Sequence, residues 1–225
     1  TYESIEENST NYNTIVFGPW SHGDWARTKE SQVVGNINFG DSISDYFQKN
    51  IETKFFNHFL KDQANGETGL AEAHMFNTGT NSWQSFESWP PKNTSKESYF
   101  MQPYQRLTQQ SNRMIRTSDF ISDPKKPVPY SEDIKVVFTP RKFMTDDQRF
   151  ASRRPDVLSF ETEVLENDVT LAGDILAKLN VSTTGTAADW IVKVVDVFPA
   201  DTENTDDVQD HLKLSNYHMM VRSET

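Results

Sequence analysis

The chain has 225 residues, enough for one or two domains, and its 35% hydrophobic content with 15 Phe and 5 Trp supplies a real core. A net charge of −11 argues against a nucleic-acid partner, because phosphate recognition needs a basic face. No apolar run reaches membrane-spanning length, and with no cysteine there is no disulfide from which to read a compartment.

In chain order, residues 1–12 are polar and unpatterned. The start lacks an initiator Met and a signal-peptide pattern, and the chain stops directly after a strand-like segment, so both ends read as cuts. Thr14-Ile15-Val16-Phe17 is a short buried-strand signal closed by Gly18-Pro19. A loop follows through Gly40, and Ser42 or Ser44 is placed to cap the next helix. Phe47, Ile51, Phe55 and Phe59 recur every fourth residue, with Phe56 and Leu60 alongside. That spacing predicts an amphipathic helix with Phe55, Phe56 and Phe59 buried, ending near Asn65-Gly66.

Ala71 to Phe76 reads as a second strand. Strand, helix, strand in that order suits the edge of an α/β sheet. The segment Trp83 to Pro91 reads as a break, because its double proline cannot continue a ladder. The expected division is therefore 1–92 and 93–225. Beyond it, short strand signals recur between polar turns, the spacing of an all-β sandwich. Ile134, Val136 and Phe138 alternate with polar or smaller neighbours, as do Ile175, Ala177, Leu179 and Val181. Trp190 to Phe198 is almost continuously apolar, as for a strand packed on both faces.

The sharpest chemical feature is Gly18-Pro19-Trp20-Ser21-His22-Gly23, set directly after an apolar strand. A histidine on such a loop can take a proton from a hydroxyl and return it to a leaving group. The local pattern equally allows a loop histidine held by its neighbours. Gly40-Asp41-Ser42-Ile43-Ser44 imitates a nucleophile elbow but lacks its last glycine. It also follows His22, the wrong order for an α/β-hydrolase, so Ser42 reads as a helix cap. No intact elbow occurs anywhere in the chain and no aspartate precedes His22, so a complete Ser, Asp, His triad in that order cannot be assembled within it. His58, His74, His211 and His218 show no zinc-like spacing and read as structural or surface residues. His22 with Asp24 is at most half a metal site. Asp201 to Asp207 offers calcium-type oxygen ligands without an EF-hand glycine and glutamate, and reads as a solvated hairpin loop.

Several blocks together resemble a known family. They are Phe150-Ala151-Ser152-Arg153-Arg154-Pro155-Asp156-Val157-Leu158-Ser159-Phe160-Glu161-Thr162-Glu163, then Asp168 to Gly173, then Val181-Ser182-Thr183-Thr184-Gly185-Thr186, then Asp189-Trp190 to Pro199. With Gly18-Pro19-Trp20-Ser21-His22 they resemble the serine hydrolases that include α-amino-acid ester hydrolases, glutaryl acylases, bacterial cocaine esterase and X-Pro dipeptidyl peptidases. Ser122-Asp123-Pro124 and Asp147-Gln148-Arg149-Phe150 are most similar to the ester-hydrolase and acylase branch.

The resemblance implies a fold and an activity. The fold is the C-terminal tail of an α/β-hydrolase domain (1–92), strand-loop-helix-strand, followed by an all-β jelly-roll sandwich (93–225) truncated at its C-terminus. The activity is cleavage of ester or amide bonds, of α-amino acid esters or β-lactam-type acyl compounds. His22 is the implied general base of a triad whose serine and acid lie outside this chain. No metal or other cofactor is called for; the partners are a small-molecule substrate and, in the full-length enzyme, further copies in a homo-oligomer. Two alternatives stand beside it: X-Pro dipeptidyl-peptidase or cocaine-esterase-like activity, and a non-catalytic jelly-roll module for ligand binding or oligomerisation.

Overall fold

A computed structural model of the chain describes residues 1–27, 32–40, 42–61, 66–111, 116–132, 141–204 and 212–224. The chain divides into two compact units, Thr1–Thr94 and Ser95–Thr225.

The first unit opens with helix α1 (Tyr2–Asn8), where the polar sequence shows no periodicity. It buries no residue and is tethered by the Tyr2 hydroxyl donating to Glu72 and by Asn13 Nδ2 donating to Glu6 at 2.9 Å. Strand β1 (Ile15–Phe17) follows, then the one-turn helix α2 (Asp24–Arg27). Strands β2 (Val33–Val34) and β3 (Ile37–Asn38) form a small antiparallel hairpin inside the segment expected to be loop. Gly35 takes φ +58° at its turn, a conformation most side chains resist.

The expected long helix is present but not regular. It runs as α3 (Ile43–Phe47), a π-helical turn (Gln48–Glu52) and α4 (Thr53–Lys61). Ser42 occupies the N-cap position without a side-chain capping bond, whereas Ser44 lies inside α3 and is fully buried. The π turn inserts one residue and rotates everything after it about the helix axis. Ile51 is buried, but Phe56 and Phe59 are 48% and 47% exposed, which corrects the expected burial. Periodicity measures which residues share a face; it does not say that another element of the same chain covers that face.

Strand β4 (Ala73–Asn77) pairs parallel to β1, with Val16 opposite His74, and antiparallel to β5 (Ser82–Phe86). The sheet order is β1-β4-β5. The central strand β4 buries Ala73, His74, Met75 and Phe76 in succession, so both its faces are covered. Trp83 to Phe86, expected as part of a break, is this edge strand instead. An edge strand needs pairing on one side alone, and chain termination waits for Pro90. An aromatic cluster holds the unit together: the Trp20 ring lies 5.2 Å from Phe47 and 5.6 Å from Trp83, and Tyr46 stacks on Trp83 at 5.5 Å.

The second unit is built of short strands in small sheets. Strands β6 (Phe100–Gln102) and β7 (Arg106–Thr108) form a hairpin, and β8 (Val192–Val197) pairs antiparallel with β9 (His218–Glu224), with a bulge between Val194 and Val195. A 3-10 turn (Arg141–Thr145) leads into the one-turn helix α5 (Arg149–Ser152). The expected strand 134–138 lies outside the described residues. Among the described residues, Ile175 to Val181 joins no ladder; Leu176 is 75% exposed. Alternation alone does not make a strand where no neighbour supplies the hydrogen bonds. Strand β8 is half-buried or exposed along its length rather than covered on both faces.

Among the described residues, those buried in this unit mix apolar (Ala151, Leu214, Tyr217) with polar (Ser131, Thr145, Asp146, Gln148) side chains. Asp146 and Tyr217 are fully buried, and the Tyr217 hydroxyl donates to the Thr145 carbonyl. Lys193 Nζ donates to Gln148 Oε1 at 2.7 Å and stands 5.6 and 5.5 Å from the ring centres of Tyr130 and Phe150. Burial pushes the Lys193 ammonium below its ordinary value, and the Asp146 charge partly restores it. Trp190 meets Phe120 edge-on at 6.1 Å.

Candidate functional site

The segment after β1 folds as it does for local reasons. The Trp20 indole lies over Gly18 so closely that a Cβ there would stand 2.7 Å from ring carbons. The Trp20 N–H donates to the Gly18 carbonyl at 3.0 Å, turning the chain sharply across Pro19. Ser21 and Asp24 then close a second turn. Asp24 N–H donates to the Ser21 carbonyl at 3.1 Å, and the Asp24 carboxylate accepts the Ser21 N–H at 3.2 Å and the Ser21 hydroxyl. Gly23 takes φ +83° in that turn. Ser21-x-x-Asp24 is thus a capping pattern at the head of α2, a signal available in the sequence.

His22 sits at the tip. Its neighbours Ser21, Gly23 and Asp24 are buried while His22 is exposed. Its ring packs edge-on against Trp25, 5.8 Å between centres at 83°. Among the described residues its imidazole makes no hydrogen bond. The side chain is therefore presented outward from the C-terminal end of a parallel strand, where open α/β sheets place their chemistry. The Asp24 carboxylate accepts from the Ser21 N–H and hydroxyl.

Ser44, expected as a possible helix cap, and Gln48, to which the sequence assigned no role, reach this turn. Ser44 Oγ donates to the Asp24 carbonyl at 3.2 Å, and Gln48 Nε2 donates to the Trp25 carbonyl at 2.6 Å. They stand four apart on one helix face. Helical spacing from Ser44 could have found the pair; their target could not be read locally.

The remaining histidines are distributed elsewhere. His74 is buried on β4 with Nδ1 3.0 Å from Ser85 Oγ. His218 on β9 has Nδ1 3.3 Å from Ser152 Oγ. The nearby Asp147 carboxylate accepts the His218 backbone N–H at 3.3 Å and the Arg149 guanidinium, not the imidazole. Ser152, His218 and Asp147 are thus neighbours without the relay a triad needs. His58 packs on Phe59, and His211 lies outside the described residues. Among the described residues, no group of three or more His, Asp or Glu is arranged to hold a metal. Thr205, Asp206 and Asp207, the end of the acidic loop, also lie outside them. Asn204 bridges its loop by accepting the Leu214 N–H at 2.9 Å and donating to the Leu212 carbonyl at 2.7 Å. A cavity of about 420 Å³ in the first unit is lined by Lys54, His74, Ser85 and Glu87 among others; His22 does not line it.

Comparison with known proteins completes the picture. The chain is 26% identical over 210 residues to cocaine esterase from Rhodococcus sp. (strain MB1 Bresler), an alignment covering 88% of the chain and 35% of that protein. Among solved structures it superposes on an aminopeptidase from a marine sediment Thaumarchaeota archaeon with TM-score 0.78 and 28% identity, over 99% of the chain and 36% of that protein. It superposes on a selenomethionine-labelled α-amino acid ester hydrolase with TM-score 0.77 and 28% identity, over 98% of the chain and 36% of that protein. The chain therefore spans about a third of the length of these relatives, which carry hydrolase names. Residues 65–221 match the family model of the X-Pro dipeptidyl-peptidase C-terminal non-catalytic domain, and the chain belongs to that family.

Proposed function

We propose that this chain is the C-terminal part of a serine hydrolase that cleaves ester or amide bonds, with His22 as its general base. The observation that carries this reading is the exposed His22 imidazole at the end of β1, on a turn whose other residues are buried. A serine outside this chain attacks the acyl carbonyl carbon, and His22 takes the serine proton. When the tetrahedral intermediate collapses, His22 gives that proton to the departing alcohol or amine. Water then repeats the sequence on the acyl-enzyme, with His22 again accepting and returning a proton.

In this reading residues 1–92 are the end of an α/β-hydrolase catalytic domain. The parallel β1–β4 pair with its helical crossover supports that assignment. Residues 93–225 are a jelly-roll domain with a structural role, a reading supported by the non-catalytic description of the family that residues 65–221 match. The substrate class we propose is an α-amino acid ester, or a β-lactam-type acyl compound, on the likeness to an α-amino acid ester hydrolase. The likeness to cocaine esterase and the X-Pro dipeptidyl-peptidase family match support a second reading within the same chemistry, X-Pro dipeptidyl-peptidase or cocaine-esterase-like activity.

The test is made on the full-length protein. His22→Ala is expected to lower kcat by roughly 10³-fold or more, because triad members act as a unit. Wild-type turnover in that variant refutes the assignment. Comparing a phenylglycine ester with its des-amino analogue tests the substrate class. Loss of the ammonium should cost about 30- to 1,000-fold in kcat/KM if buried carboxylates receive it; equal rates remove the α-amino reading.

A further inference from the structure

We infer that Gln48, assisted by Ser44, is a positioning residue for His22, and that the π-helical turn is the device that holds Gln48 in place. The inference rests on the reading of His22 as general base and adds residues to it.

The turn carrying His22 leads into α2, a helix of one turn, Asp24–Arg27. The carbonyls of Asp24 and Trp25, two and three residues after His22, each accept a side-chain donor from the helix over residues 43–52. Ser44 Oγ reaches the first at 3.2 Å and Gln48 Nε2 the second at 2.6 Å. Ser44 is fully buried, so its hydroxyl has no competing water. Trp25 is also the residue against whose ring His22 rests edge-on. Holding the Trp25 backbone therefore holds the surface that limits where the imidazole can go.

The π turn explains why Gln48 serves this purpose so well. At the turn, the Gln48 carbonyl accepts from the Thr53 N–H, five residues on, and from the Thr53 hydroxyl at 2.6 Å. The extra residue of the bulge thus leaves no orphaned acceptor at Gln48. Its main chain is clamped from one side while its side-chain amide clamps Trp25 on the other. The bulge also lets the two demands on this helix coexist: Ser44 and Gln48 face the His22 turn, and Ile51, just beyond, is still buried in the core. Turns of this kind recur at functional sites for that reason.

A base displaced by about 1 Å from its working position loses on the order of 10²-fold in rate. Gln48→Leu keeps the side chain's bulk but removes the donor. In the full-length protein it is expected to lower kcat about 10- to 100-fold with KM changed by less than about twofold, because orientation of the base is felt in the transition state. The decisive measurement is a cycle with His22→Ala. If Gln48 acts through His22, Gln48→Leu adds no further loss in the His22→Ala background; if it is merely structural, the losses multiply. A second readout does not depend on activity: the edge-on Trp25 ring shifts the proton resonances of His22, and Gln48→Leu should move them toward values for a free histidine. Ser44→Ala gives the same signs should Gln48→Leu fail to fold. Unchanged kcat and unchanged His22 resonances in both variants, or multiplicative losses in the cycle, overturn the inference. Wild-type turnover of His22→Ala alone instead overturns the assignment of the base.

Discussion

His74 Nδ1 lies 3.0 Å from the hydroxyl of Ser85, its register partner across the β4–β5 ladder. The other ring nitrogen, Nε2, is buried without a hydrogen-bond partner among the described residues. Burial therefore lowers the His74 pKa, and the charge of Lys54 lowers it further. His218 is lowered too, by burial, with the carboxylates of Asp147 and Glu161 pulling the other way.

These two histidines predict the acid side of the stability curve. In the unfolded chain each binds a proton near its ordinary value of 6.5; in the fold each resists protonation to lower pH. The unfolded state then holds more protons, so stability is complete above that value and is lost as pH falls toward the folded pKa. The urea midpoint should drop between about pH 7.5 and about pH 5.5, with a slope of up to about 1.4 kcal/mol per pH unit for each group. His74→Gln should flatten the slope. An identical slope in wild type and variant contradicts the assignment.

Gly23 and Gly18 should respond to substitution for different reasons. At φ +83°, Gly23→Ala is expected to cost about 1–2 kcal/mol. At Gly18 the obstacle is the Trp20 ring 2.7 Å from the new Cβ, an overpacking cost of about 1–3 kcal/mol. His22→Ala, at an exposed position, should leave Tm within about a degree. Thermal unfolding of the three variants checks the ranking; a large loss in His22→Ala shows a structural role.

Asp147 anchors α5 to β9 through its bonds to Arg149 and to the His218 N–H. Burial works to raise its pKa, but these hydrogen bonds outweigh it and hold the carboxyl below its ordinary 3.8. A depressed carboxylate contributes stability above that value and loses it as pH falls through the folded pKa. Asp147→Asn is expected to lower stability by about 1.5–3 kcal/mol near neutral pH, the range for hydrogen bonds to a charged group. The difference from wild type should close below about pH 3. A constant difference down to that pH counts against the mechanism.

The β6–β7 hairpin carries a strained tip. Tyr104 and Gln105 take φ of +63° and +62°, and Tyr104 is 87% exposed. Glycine relieves the left-handed conformation at no packing cost there, so Tyr104→Gly should raise stability by about 0.5–1 kcal/mol. A loss of that size in chemical denaturation shows that the ring makes contacts that matter.

The elements legible in the sequence were those with a local cause. Apolar residues ending in Gly18-Pro19 announced β1, and four-residue spacing announced the helix over Phe47 and Ile51. His22 stood out because it follows a strand directly. The strand read into Ile175 to Val181, the break read into Trp83 to Phe86, and the burial expected of Phe56 and Phe59 failed for a shared reason. Each depends on whether a partner lies alongside, and pairing is a property of chain segments far apart in sequence.

The sequence by itself determined which segments could turn, coil or extend, since φ preferences, capping patterns and side-chain periodicity act within a few residues. It determined that a histidine would stand on a glycine-bounded turn after a strand. The tertiary structure alone decided what braces that turn. Ser44 and Gln48 are ordinary helix positions until the helix crosses from β1 to a parallel β4 and brings their donors onto the carbonyls of Asp24 and Trp25. Hydrogen bonds of that kind form between groups distant along the chain, so their partners exist once the fold has closed the loop between them.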